Sequence, residues 1–280
     1  VPDPRPASPA PGPAALLPSA FDALPRVAEA AASKRLAVFL DYDGTLTPIA
    51  ATPELAVLGD HTREVVRRLA AVVSVAVVSG RDLADLVERV ALPGIAYAGS
   101  HGLEVQHADG ARSTVPGASA YLDALARAGD LLEARLREVP GARVERKRFA
   151  LAAHFRLTPD VRVDEVRAAV AAVAGAVRGL RITGGKRVLE LRPDLDWHKG
   201  RAVRALADAL SSHAPSLPPY PVYLGDDVTD EDAFREVASD GLGVVVGEPQ
   251  QTAARAHMES VVEVVRWLEA LTERIEAPSA

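Results

Sequence analysis

An apolar run, Arg35 to Leu40, stops abruptly at Asp41-Tyr42-Asp43-Gly44-Thr45, and the same kind of break recurs four more times along the chain. Val72 to Val78 stops at Ser79-Gly80-Arg81, and Ile95 to Ala98 stops at Gly99-Ser100-His101-Gly102. Pro221 to Leu224 stops at Gly225-Asp226-Asp227, and Gly243 to Val246 at Gly247-Glu248-Pro249. Short apolar runs bounded by turn residues read as strands buried on both faces. Between and around them lie stretches with helical spacing: Phe21 to Lys34, His61 to Leu69, a segment with Val87 and Val90 three apart, and Thr252 to Glu269. Strands alternating with helices predict an α/β fold, a Rossmann-like parallel sheet flanked by helices. Such sheets bind ligands at the carboxyl ends of their strands, so the five polar breaks predict one reactive edge.

The middle of the chain follows another pattern. Arg143 to Lys147, Leu151 to Leu157, Arg178 to Ile182 and Arg187 to Leu191 read as strands with mixed faces, the last two around a Gly184-Gly185 turn. Asp164 to Val177 and Tyr121 to Val139 read as helices. Two strands, a helix and two strands predict a small α+β domain with one helical face. The expected organisation is a proline-rich, poorly ordered arm over 1–18, a first core segment over 19–111, an inserted cap over 112–193, and a second core segment over 194–280.

Composition limits the classes open to such a chain. With 48% hydrophobic and 25% charged residues it falls among globular proteins, which excludes a disordered or fibrous whole. A net charge of -6 forecasts no basic face for nucleic acid. Cysteine is absent, so disulfide and thiolate chemistry are excluded. No apolar run approaches the roughly 20 residues that cross a bilayer, and the first eighteen residues, with seven prolines, lack an apolar signal core. The expectation is a cytoplasmic protein with no nucleic-acid or membrane partner; the oligomeric state is left open.

The chemistry gathers at the strand ends. Asp41 and Asp43 close one strand, while Asp226, Asp227 and Asp230 follow another. Carboxylates brought together repel unless a cation neutralises them, and oxygen donors suit a hard divalent ion, Mg2+ rather than zinc. Ser79 and Gly80 offer a hydroxyl and an unhindered backbone donor for a phosphate oxygen, and Lys199, opening a helix with Gly200, offers a point charge. An anionic nucleophile, a cation, phosphate donors and a second carboxylate together describe phosphoryl transfer.

Asp41-Tyr42-Asp43-Gly44-Thr45-Leu46 resembles the signature of the haloacid-dehalogenase-like (HAD) phosphatases. Leu224-Gly225-Asp226-Asp227-Val228-Thr229-Asp230-Glu231-Asp232-Ala233-Phe234 resembles the late acidic motif of one branch, the trehalose-6-phosphate phosphatases. Ser79-Gly80-Arg81, Gly99-Ser100-His101-Gly102, Glu190-Leu191-Arg192-Pro193 and Trp197-His198-Lys199-Gly200 match the same family, so the resemblance covers about residues 35 to 270. The resemblance implies hydrolysis of trehalose 6-phosphate, a small sugar phosphate, to trehalose and phosphate, with Asp41 as the nucleophile that becomes an aspartyl-phosphate and Asp43 as acid, then base. The alternatives are a phosphatase for sucrose 6-phosphate or glucosyl-glycerol phosphate, and beyond those a noncatalytic phosphosugar sensor or phosphoacceptor module. It implies Mg2+ on Asp41, the Asp43 carbonyl and Asp226, with Asp227 or Asp230 as a further carboxylate; Asp230 reads equally as a cap for the helix carrying Phe234. Ser79, Gly80 and Lys199 would hold the phosphoryl group. The insert would be the sugar-binding cap, led by Lys147 and Glu190, then Lys186 and Glu145, with Arg143, His154 and Arg156 as further candidates. His101 is a candidate for the sugar as well, and a turn role suits it equally.

Overall fold

The computed structural model describes residues 17–185, 187–212, 217–248 and 251–277. The expected arm up to residue 16, and Lys186, therefore lie outside the described residues. The first half runs α1 (Ala20–Ser33), β1 (Arg35–Leu40), α2 (Asp60–Ala70), β2 (Ser74–Val78), α3 (Leu83–Val90), β3 (Ala96–Gly99), β4 (Glu104–Gln106) and β5 (Arg112–Thr114). There follow α4 (Leu122–Leu136), β6 (Arg143–Lys147), β7 (Ala150–His154), α5 (Val163–Ala176), β8 (Leu180–Gly185) and β9 (Val188–Pro193). The chain ends with α6 (Lys199–Ser212), β10 (Pro219–Gly225), α7 (Glu231–Val237), β11 (Leu242–Val246), β12 (Ala256–Met258) and α8 (Val261–Glu276). The described residues divide into two compact units, one within Val1–Ser79, Leu83–Arg112 and His198–Ala280, the other Gly80–Asp82 with Ser113–Trp197.

The first unit carries the strands β12-β11-β10-β1-β2-β3-β4, in that order, of a sheet that ends on β5. From β12 to β3 every pairing is parallel, and β4 returns antiparallel to β3. Alternation along β1 explains why its apolar run is unbroken. Leu36, Val38 and Leu40 enter a core with Val66 and Leu69 of α2, Leu86 of α3 and Trp267 and Leu268 of α8. Ala37 and Phe39 enter the opposite core with Val203 and Leu206 of α6 and Phe234 of α7. Both faces are dry, so both must be apolar. The chain runs outward from β1 through β2 and β3, and on its other side through β10, β11 and β12. The order reverses between β1 and β10, and such a switch leaves a crevice at the carboxyl ends.

The second unit is a sheet of order β6-β7-β9-β8, antiparallel throughout. Its face bearing Leu151, Ala153 and Leu191 packs on Leu125 and Leu132 of α4 and Val166, Val170 and Val173 of α5.

Several elements differ from their sequence expectation: the strand expected over Leu151 to Leu157 already ends at His154. Gly184 and Gly185 are paired residues of β8, opposite Leu189 and Val188, and the turn follows them. The last helix starts at Val261, because Ala256 to Met258 pair with β11 as a short edge strand. Val72 and Val73 sit in the turn before β2.

Candidate active site

The switch between β1 and β10 is locally over-determined. The Asp41 N–H donates to Leu224 O at 2.9 Å, tying the first residue past β1 to β10. Gly44 has φ +88°, and a Cβ there would fall 2.1 Å from Asp226 Oδ2. The chain therefore needs glycine twice over, for its backbone angle and for the approach of the Asp226 carboxylate. Gly225 meets the second requirement alone, for Asp230: a Cβ would sit 2.4 Å from the Asp230 Cγ.

Asp41, Asp226 and Asp230 each present a carboxylate oxygen, and the three oxygens lie within 4.8 Å of one another. Asp43 and Asp227 contribute no oxygen to that cluster. Lys199, the first residue of α6, brings its ammonium to the same place. Nζ donates to Asp41 Oδ1 and to Asp230 Oδ1, both at 2.7 Å. All three side chains of this bridge are buried. The Tyr223 hydroxyl donates to Asp230 Oδ1 at 2.5 Å, and the Asp226 and Asp227 N–H groups donate to Asp230 Oδ2 at 3.1 and 2.9 Å. Asp230 is thus turned back on its own loop.

These contacts set the protonation of the site. Burial pushes the Asp41 carboxyl well up; Lys199 pulls it down, and the Asp230 and Asp226 charges push it up again. Burial alone would lower the Lys199 pKa, but the Asp230 and Asp41 carboxylates outweigh it and the ammonium is held charged. Burial first, then the Asp230 and Asp41 charges, push the Tyr223 phenol well up, so it stays a proton donor. Three carboxylates facing one ammonium fit a divalent cation held by hard oxygen donors: the added charge would relieve their repulsion.

The other strand ends flank this group. Ser79 is buried past β2; its N–H donates to Ala98 O and its carbonyl oxygen accepts from the His101 N–H, both at 2.9 Å. His101 has φ +56°, a turn conformation beside Ser79. Gly80 groups with the second unit, where its carbonyl oxygen accepts from Lys147 Nζ at 3.3 Å.

In the second unit the register gathers the expected sugar contacts on the sheet face opposite its helices. Glu145 is paired with Ala152, Ala152 with Glu190, and Glu190 with Thr183, so these four share one face. Two residues along, Lys147 and Arg192 lie on it too, and on the other side Arg143 pairs with His154. Glu190 accepts from Lys147 Nζ at Oε1 and from Arg192 Nε at Oε2, both at 2.8 Å. His154 Nε2 lies 2.7 Å from Glu145 Oε2. Burial alone would lower the Lys147 pKa, and the Glu190 and Glu145 charges more than reverse that. Arg156 lies past the end of β7 and is exposed.

Sequence reasoning missed Tyr223, Arg192 as a partner of Glu190, and the fourfold use of Asp230. Arg192 had a signal: it stands two residues from Glu190 on a strand, hence on the same face. Tyr223 had none, since an apolar run conceals a phenol as readily as a phenyl ring.

The fold class is that of the haloacid-dehalogenase-like phosphatases, with the parallel sheet interrupted by an inserted α+β unit. Residues 39–275 match the family model described as trehalose-phosphatase. The trehalose-phosphate phosphatase of Mycobacterium tuberculosis is 43% identical over 267 residues, 94% of this chain and 68% of that protein. A solved structure described as a trehalose-6-phosphate phosphatase related protein superposes with a TM-score of 0.74 at 26% identity, over 85% of this chain and 97% of its own. The C-terminal domain of the Candida albicans trehalose-6-phosphate phosphatase shares the fold, with a TM-score of 0.78 at 24% identity over 92% of this chain and 98% of its own. The chain belongs to the trehalose-phosphatase family.

Proposed function

We propose that the chain hydrolyses trehalose 6-phosphate to trehalose and phosphate at the β1/β10 switch. The observation that carries the reading is the buried Lys199 bridge between Asp41 and Asp230, beside Asp226, in a chain of this family. A carboxylate pinned against a permanent ammonium at a strand end is a nucleophile with its charge balance in place.

Asp41 attacks phosphorus, the bond from phosphorus to the sugar oxygen breaks, and Asp43 gives that oxygen its proton. Asp43 then takes a proton from water; the resulting hydroxide attacks phosphorus, and the bond to Asp41 breaks to release phosphate. Lys199, Ser79 and the Gly80 backbone hold the phosphoryl oxygens, where fixed charge and donors act most strongly out of water. Asp41, the Asp43 carbonyl and Asp226 would hold Mg2+, with Asp227 as a further carboxylate, and the ion would supply positive charge to the transferring group. Asp230 is the carboxylate that orients Lys199. The insert is the cap that recognises the sugar, through Lys147, Glu190, Glu145, Arg143, His154 and Arg156, with Lys186 and His101 as further contacts. A sugar ester presents many hydroxyls, and a sheet face of alternating charges around Ala150 and Ala152 offers both donors and acceptors to them.

The test is phosphate release with Mg2+ from trehalose 6-phosphate, sucrose 6-phosphate, glucose 6-phosphate and glucosyl-glycerol phosphate. Preference for trehalose 6-phosphate, lost on chelation, is the expected result. Preference for another sugar overturns the cap assignment, and release from none overturns the reaction.

A further inference from the structure

Tyr223 is fully buried in the middle of the site, yet the reaction above gives it nothing to do. Its ring packs edge-on against Phe234, with centroids 5.7 Å apart and planes at 74°. Phenylalanine would pack the same way, so the hydroxyl is the part that calls for a reason. That hydroxyl donates to Asp230 Oδ1, the same oxygen that accepts from Lys199. We infer that Tyr223 is a positioning residue for the phosphatase reaction: through Asp230 it fixes the Lys199 ammonium against Asp41.

The argument is one of counting acceptors. A carboxylate has about four lone-pair positions. Asp230 fills them with four donors: Lys199 and Tyr223 on Oδ1, and the Asp226 and Asp227 N–H groups on Oδ2. An Asp230 saturated in this way cannot rotate to follow Lys199, and it has no lone pair left for a cation although it stands within the acidic cluster. The ammonium has three protons, and Asp41 and Asp230 take two, which leaves one direction for a phosphoryl oxygen. Take the phenol away and Oδ1 keeps a single donor. Its unbalanced charge then draws the ammonium towards Asp230 and away from Asp41, where charge moves during transfer. The effect belongs in the chemical step rather than in sugar binding, because Tyr223 lies in the first unit and acts on Lys199 through Asp230, both of that unit.

The inference rests on the phosphatase reading, and the experiment separates the two. Y223F, D230N and the double variant are compared with the unaltered chain on whichever sugar phosphate the latter hydrolyses best. Beryllium trifluoride, a mimic of an aspartate-bound phosphoryl group, is titrated in parallel by fluorine NMR. For Y223F the expected result is kcat lower by about tenfold, as for one charged hydrogen bond, with KM and the Mg2+ half-saturation within about twofold. Beryllium trifluoride affinity should fall by about the same factor as kcat. In the double variant Y223F should add nothing to D230N, because its effect passes through Asp230. Unchanged kcat in folded Y223F overturns the inference, as does full additivity, or a rise in KM that matches the loss of kcat/KM. Failure of Y223F to fold overturns it too, by making the hydroxyl a requirement of the fold. If the unaltered chain turns over no phosphate ester, the phosphatase reading fails, and an unchanged beryllium trifluoride affinity in Y223F would still sink the inference.

Discussion

Asp41 does two jobs that a neutral residue cannot share. Its N–H fixes the strand end to Leu224, and its carboxylate balances Lys199. Asp41→Asn keeps the first and loses the second, so turnover should fall by about a thousandfold or more while the fold persists. Circular dichroism and steady-state phosphate release check the pair of outcomes, and normal turnover would remove Asp41 as the nucleophile. Gly44 makes a sharper prediction. Alanine there meets a positive φ and also the Asp226 carboxylate, whereas Gly110, with φ +87°, has nothing within 4 Å of its would-be Cβ. Gly110→Ala should therefore cost only the backbone term, about 1–2 kcal/mol. Gly44→Ala should cost clearly more, about 3 kcal/mol, because the half-buried Asp226 carboxylate must also move. Urea unfolding of the two variants reads the difference; equal losses would mean that Asp226 yields freely.

At the scale of elements, the polar face of β6, β7 and β9 is held by charge pairing. Burial alone would raise the Glu145 pKa, but the His154 hydrogen bond and the Lys147 charge bring it below the ordinary glutamate value. A carboxylate depressed in the folded state contributes stability above its unfolded pKa, and loses it as pH falls through the folded value. Lys147 has the opposite sign: its raised pKa contributes stability below the unfolded lysine value, lost as pH rises through the folded one. Lys147→Met leaves Glu145 and Glu190 short of a cation, so neutral-pH stability should drop by about 1–3 kcal/mol. The further loss below the glutamate range, near about pH 4.3, should shrink, because less is left to titrate away. Unfolding measured across pH tests both, and an unchanged acid limb would contradict the pairing. These elements differ in how readable they were. β1, β2, β3, β10 and β11 showed themselves because a strand buried on both faces must be apolar throughout, and a reactive edge must begin where the apolar run stops. β4 and β5, three residues each with polar faces, carry no such signal. β12 was hidden inside a long helical pattern because three residues are too few to establish a period of two. The Lys199 bridge was legible as residue types only. It joins positions 158 apart, and nothing local in the sequence states that they meet.

At the scale of the whole molecule the chain builds its cores separately. Among the described residues, the two cores flanking the parallel sheet draw only on the first unit, and the core under the antiparallel sheet draws only on the second. Cooperativity in unfolding comes from shared buried contacts, so cores with no common member favour separate transitions. The acidic cluster of Asp41, Asp226 and Asp230 belongs wholly to the first unit. A cation that binds only the folded cluster stabilises whatever unfolds with it, by about 2.7 kcal/mol at a hundred times its Kd. For a unit of this size that is an upward shift of about 5–10 °C. Scanning calorimetry with and without Mg2+ should thus show two transitions, of which one moves and one stays. The moving transition is assigned independently, because Lys147→Met should lower the other and leave it in place. A single transition that Mg2+ shifts as a whole would show instead that the two units unfold as one. Two transitions both indifferent to Mg2+ would remove the cation from the cluster, and with it the explanation of why a third carboxylate, Asp226, stands beside the two that Lys199 bridges.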